Sequence, residues 1–282
     1  LAAALYERLE LPLLIVCPDD SSAESFSRDL EAMTGEKVNT LYSRDFTFYS
    51  SLAASREAEQ KRLYVLNALR CGESPLTVAT VSALMQRTIP PQTLIKAAFT
   101  VKDGEACPPE ELERALVRCG YTRCEQVEGA GQFSRRGGIV DFFSPSYPEP
   151  VRIEFWGDDI DSMGFFDVKT QRRTESVEAC RILPAAESLA TLATGGTEAL
   201  TEALTAAADK CSRHKSSQQL RELEQTLRTD IERLRQSVKL EYADRYMPFL
   251  YDKASGADYI PEEAVVFIDQ PPRCADRARG FV

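Results

Sequence analysis

The chain has 282 residues and a formal net charge of −10, with 43% of its residues hydrophobic. That length buries sizeable cores without disulfide or metal staples, and the acidic balance argues against strong non-specific nucleic-acid binding, which needs a cationic surface to neutralise phosphates. The eight cysteines, at 17, 71, 107, 119, 124, 180, 211 and 274, include no CxxC pair, and no secretory signal or long apolar run is present. A reduced cytoplasmic protein is therefore expected, without bound metal or membrane segment, with Cys119 and Cys124 as small core fillers.

Leu1 to Leu11 has helical spacing, and Pro12 stops it. LLIVCPDD at 13–20 reads as a buried parallel strand opening into a loop. A helix follows, with Ser22 as its cap, Phe26, Leu30 and Met33 on its apolar side, and Gly35 at its end. KVNTLYS predicts a second strand, Ala53 to Leu69 a helix, and PLTVATVSALMQR a third strand running into a short helix. Strand and helix alternating in this way imply a parallel sheet with helices on its faces.

From Phe99 the character changes. Val101 precedes a Lys-Asp-Gly turn, and Pro108 and Pro109 open a helix with Glu110, Glu111 and Glu113 near its positive end and Leu112, Leu116 and Val117 on its apolar side. Gly120 ends it, and YTRCEQV is expected to be the first strand of an antiparallel meander continuing from Gly131 to Arg173. Arg135, Arg136, Arg152, Lys169, Arg172 and Arg173 punctuate those strands and suit a solvated face opposite the helix. A cationic face flanked by aromatics is a candidate docking surface; ordinary solubilising charge is the alternative. Phe155 and Trp156 alternate across their strand, which predicts Trp156 outward.

After Pro184 come Ala-, Thr- and Gly-rich residues, and Lys210 to Ser217 reads as a loop or frayed helix. Leu220, Leu223, Leu227, Ile231, Leu234 and Val238 then form the apolar stripe of a long helix expected to pack within the chain. The aromatic YADRYMPFLYD segment precedes AVVFIDQPP at 264–272, read as a core strand rejoining the α/β unit begun at Leu1.

The words QFSRRGGIVDFFSP, PVRIEFWGDDIDS, FFDVKTQRR and RILPA resemble the UvrB-homology module at the start of the bacterial transcription-repair coupling factors, with weaker similarity from Leu1 to IDQPP. The resemblance implies a discontinuous, degenerate helicase-like α/β domain formed by 1–97 and 186–282, with an antiparallel α+β domain 2 inserted at 98–185. It also implies a non-catalytic module that recruits UvrA to stalled transcription in nucleotide excision repair. Arg136 and Arg152 match the family's interface arginines and Trp156 the adjacent aromatic, while Arg135, Phe133, Phe155, Arg172 and Arg173 are further candidates. Guanidinium groups beside an exposed aromatic suit an acidic partner surface.

No GxxxxGK[ST] occurs in these residues; in the family that position falls just before the helix at Leu1. The second nucleotide-site element falls at Asp269 and Gln270, where an active motor needs Glu, and an amide cannot serve as a carboxylate base. A degenerate site with no cofactor is expected here. RNA-polymerase and DNA contacts and a translocase motor are implied only for regions beyond these residues. The alternative is a truncated UvrB-like ATPase acting on damaged DNA, with Tyr42, Phe46, Phe48 and Tyr49 stacking on bases, although YSRDFTFYSSLAASREAEQ is short for the aromatic hairpin of UvrB.

Overall fold

Leu13 to Cys17 are five consecutive apolar residues, all buried, as a strand covered on both faces requires. The computed structural model describes residues 1–9, 11–44, 56–213, 217–240 and 242–281. In chain order the first half comprises α1 (Ala2–Leu9), β1 (Leu13–Cys17), α2 (Asp20–Thr34), β2 (Asn39–Leu41), α3 (Arg56–Cys71), β3 (Leu76–Thr80), α4 (Val81–Met85), α5 (Pro91–Ala97), β4 (Phe99–Lys102) and α6 (Pro109–Arg118). Then follow β5 (Thr122–Arg123), β6 (Gln132–Arg136), β7 (Ile139–Phe142), β8 (Val151–Trp156), β9 (Asp159–Phe166), β10 (Arg173–Ser176) and β11 (Ala179–Ile182). The chain closes with α7 (Gly196–Arg213), α8 (Gln218–Arg235), α9 (Met247–Leu250), β12 (Val265–Ile268) and α10 (Pro271–Gly280).

The fold is mixed α/β. A parallel sheet runs in the order β12-β1-β3-β2, so the last strand lies beside the first, with Leu13 opposite Val265 and Val16 opposite Ile268. On one face Leu13, Ile15, Cys17, Leu76 and Val78 pack against Ala23 and Leu30 of α2. On the other, Leu14, Val16 and Ala79 join Leu63 and Leu66 of α3 and the inner stripes of α7 and α8. The cap of α2 is Asp19 rather than Ser22: the Ser22 N–H donates to the Asp19 carboxylate at 2.9 Å. Gly35, at φ 71°, closes the helix in the left-handed conformation that lacks a Cβ penalty. Met33, expected on the apolar side, is 70% exposed.

The second sheet has the order β10-β9-β8-β7-β6-β5. It is antiparallel from β6 to β10, but β5 is only two residues long and runs parallel to β6. The expected first strand of the meander is thus a short edge strand, because the chain crosses back between Arg123 and Gln132 instead of turning tightly. Leu112 and Leu116 of α6 pack with Phe133, Val140, Phe142, Val151 and Ile153 on the inner face. Val117 is 56% exposed and takes no part in that packing. β4 and β11 form a separate antiparallel pair in which Phe99 faces Ile182.

α3 ties the sheets together. Gln60 donates to the Ala130 carbonyl at 2.7 Å, and Asn67 accepts from Arg181 at 3.2 Å. Glu187, fully buried, accepts from Arg62 at 3.0 Å and from the Thr88 hydroxyl, while its own N–H donates to Glu59 at 2.8 Å. Among the described residues no helix is long and apolar enough to cross a membrane.

Candidate functional site

Alternation along the strands decides which face each candidate occupies. Phe133, Arg135, Val140, Phe142, Val151, Ile153 and Phe155 point toward α6; Ser134, Arg136, Ile139, Asp141, Arg152, Glu154 and Trp156 point the other way. On this outer face Trp156 is 82% exposed.

At the centre of the outer face, Asp141 is 1% exposed yet accepts from both motif arginines. Arg152 donates Nε to Oδ1 at 2.7 Å and Nη2 to Oδ2 at 2.8 Å, and Arg136 donates Nη2 to Oδ2 at 2.9 Å. Arg152 is locked further: Nη1 donates to the Gln171 carbonyl at 3.1 Å, and the guanidinium lies 4.6 Å from the Phe166 ring centroid. The hydrogen bond to Asp141 holds the Arg152 guanidinium above the ordinary arginine value, against the opposing effect of burial. Its side chain is only 16% exposed, whereas that of Arg136 is 53% exposed. Arg152, expected as an interface arginine, thus has its fork already filled from within. Arg136 meets the aspartate through Nη2 alone, and its Nε and Nη1 make no hydrogen bond among the described residues.

Arg173 lies on the same face. Its Nη1 donates to the Ser162 hydroxyl at 3.2 Å, and its guanidinium crosses β9 over Gly164, where an added Cβ would collide with Nε. Arg172 is exposed in the turn before β10, its carbonyl accepting from Asp167 N–H at 3.0 Å.

Three candidates fall elsewhere. Phe133 is fully buried in the core beneath α6 and has no surface to offer a partner. Arg135 faces α6 and is paired there with Glu110, and with Glu113 at 3.1 Å. Phe155 packs against the inner core. All three share one phase of the strand alternation, opposite to that of Arg136 and Trp156.

Asp141 carried no expectation. Its signal is the word GGIVDFF: one acid in an otherwise apolar strand, in phase with two arginines, is a counter-ion rather than a solvated charge.

The UvrB interaction domain family matches residues 99–187, which contain this entire sheet. The transcription-repair-coupling factor of Bacillus subtilis is 30% identical over 274 residues, covering 96% of this chain and 23% of that protein. That of Myxococcus xanthus is 34% identical over 197 residues, covering 67% and 16%, and that of Escherichia coli K12 31% over 187 residues, covering 66% and 16%. The chain belongs to the transcription-repair coupling factor family. It spans about a quarter or less of the length of these relatives.

In this family member the second candidate site lies at the carboxyl ends of β1 and β12. Asp269 N–H donates to the Val16 carbonyl at 2.9 Å, and Gln270 sits at φ 49°. The Gln270 amide donates to Asp269 at 3.1 Å and accepts from Arg273 at 2.8 Å, and Arg273 pairs with Asp19 at 2.7 Å. Burial, with Asp269 adding to it, pushes the nearby Cys17 thiol up to about 12. β12, expected as a core strand, is an edge strand with Val266 46% and Ile268 49% exposed, because only β1 flanks it. Tyr42 lies in the described part of the chain; Phe46, Phe48 and Tyr49 lie outside the described residues.

Proposed function

We propose that residues 98–185 form an inserted docking unit that binds UvrA through the outer sheet face, within a protein that couples transcription to nucleotide excision repair. The observation that carries this reading is the exposed Trp156 on the same face as a half-exposed Arg136, whose guanidinium is already aimed by a buried carboxylate. A desolvated aromatic beside an oriented arginine is the combination that dominates interface energetics. The antiparallel pairing of β4 with β11 supports an inserted unit, since it brings the entry and exit of the segment together.

The reading gives this chain a docking role rather than a hydrolytic one. The Gln270 side chain supplies an amide where phosphoryl chemistry would need a second carboxylate, and that amide is engaged by Asp269 and Arg273. Recruitment of UvrA to stalled transcription would then depend on parts of the protein beyond these residues.

Calorimetric titration of the chain with purified UvrA tests the proposal, beside Arg136→Ala and Trp156→Ala variants whose folding is checked by circular dichroism. Each substitution is expected to weaken binding by about 2 kcal/mol or more. Absence of binding by the unmodified chain to active UvrA would remove the proposal.

A further inference from the structure

We infer that Asp141, which has almost no surface of its own, is a positioning residue for the docking face: it fixes the direction in which Arg136 presents its free donors. The inference rests on the docking reading above.

Burying a carboxylate is costly unless donors replace its water. Asp141 sits in the middle of β7 between Ser134 of β6 and Arg152 of β8, at 1% exposure, where donors from the protein must stand in for water. Three guanidinium N–H groups meet it within 2.9 Å. The two arginines play unequal parts. Arg152 closes a bidentate ring on the carboxylate and is pinned by the Gln171 carbonyl and the Phe166 ring, so the aspartate cannot turn. Arg136 adds a single donor to that fixed acceptor, at the end of β6 where the Gly137-Gly138 turn leaves its side chain otherwise exposed. Without Asp141 its long side chain would sample many rotamers, and a partner would have to order it at the moment of binding. With Asp141 that ordering is complete beforehand. Glu154, another acid on this face, accepts from the Ser162 hydroxyl at 3.3 Å and makes no hydrogen bond to Arg136 among the described residues.

The role differs from a purely structural one in a measurable way. If Asp141 acts through Arg136, its removal matters only while Arg136 is present. Affinity for UvrA should be measured for Asp141→Asn, Arg136→Ala and the double variant, with thermal unfolding recorded for each. Asp141→Asn is expected to weaken binding roughly three- to tenfold. The double variant is expected to bind no worse than Arg136→Ala alone, the non-additivity of two residues in one network. Additive losses, or unchanged affinity in a folded Asp141→Asn protein, would overturn the inference while leaving the docking reading intact. Failure of the unmodified chain to bind UvrA would overturn both.

A second measurement needs no variant. Nitrogen-15 relaxation of the Arg136 Nε in the unmodified protein is expected to report a guanidinium nearly as rigid as that of Arg152. A freely moving Arg136 beside a rigid Arg152 would overturn the inference irrespective of how any variant folds.

Discussion

Arg135 and Arg136 are neighbours in sequence and separated by the thickness of a sheet. Arg136 meets Asp141 on the outer face, whereas Arg135 meets Glu110 and Glu113 of α6 on the inner one. Arg135→Ala is accordingly expected to leave UvrA affinity within about twofold of the unmodified chain, since its ion pairs lie on the inner face, away from the docking surface. An equilibrium titration checks this, and a loss matching that of Arg136→Ala would contradict the assignment of faces. The same alternation that separated Phe155 from Trp156 in the sequence also separates these arginines, but runs of charge invite the assumption of one solvated face. The helix and its acids were legible in the sequence; the pairing of Arg135 with Glu110 and Glu113 across the inner side was not. Gly164 makes a second point at this scale. A methyl group there would meet the Arg173 guanidinium and, at 2.5 Å, the Glu175 carbonyl. Gly164→Ala is expected to cost about 1–3 kcal/mol in denaturant-measured stability, because the carbonyl belongs to the backbone of β10 and cannot rotate away.

Among the elements, those with strong periodicity were legible and those without it were not. The stripe of α8 holds, with Leu227, Ile231 and Leu234 buried, although it frays to an exposed Val238 beyond the helix end. α7 went unread: its Ala- and Thr-rich sequence resembles a linker, yet Gly196–Arg213 is a regular helix that buries Leu200, Leu204 and Ala208 at four-residue spacing. Small residues let it lie close against α8, so its helicity comes from packing rather than from strong local signals. Leu204 is 0% exposed, and Leu204→Ala is expected to lower stability by about 2–5 kcal/mol in chemical denaturation. A change below about 0.5 kcal/mol would mean that the hairpin contributes little to the core. β1 and β3 were legible for the opposite reason, since five buried residues in a row leave few alternatives to a central parallel strand.

At the scale of the molecule, the return of β12 to the side of β1 followed from an apolar run at each end of the chain, but the join between the sheets did not. It depends on Gln60 and Asn67 of α3 reaching Ala130 and Arg181, while Glu187, Arg62, Arg44, Glu59 and Thr88 hold the chain after β11 to the α/β unit; all are far apart in sequence and carry no motif. Burial alone would raise the Glu187 carboxyl, but Arg44 and Arg62 beside it, with the Thr88 hydroxyl, hold it below its ordinary 4.5. A carboxyl with a depressed folded value stabilises the protein above its unfolded value, and that contribution is lost as pH falls through the folded value. Stability is therefore expected to fall on acidification below about pH 4.5, measured by unfolding at a series of pH values. Glu187→Gln should unfold more easily at pH 7, by roughly 3–5 kcal/mol, and with a flatter acid limb. An unchanged acid limb in that variant would place the sensitivity elsewhere.

The pairing of Phe99 with Ile182 has a bearing on ancestry as well as on architecture. On the proposed insertion, the segment leaves and rejoins its host through two adjacent strands, a single doorway that a few residues from Ala98 to Leu183 would bridge on excision. The buried ion cluster at Glu187 lies beyond that doorway and would stay with the host. Grafted elsewhere, the segment would lose the hydrogen bonds that Gln60 and Asn67 of α3 make to Ala130 and Arg181, so a new host would have to supply their equivalents.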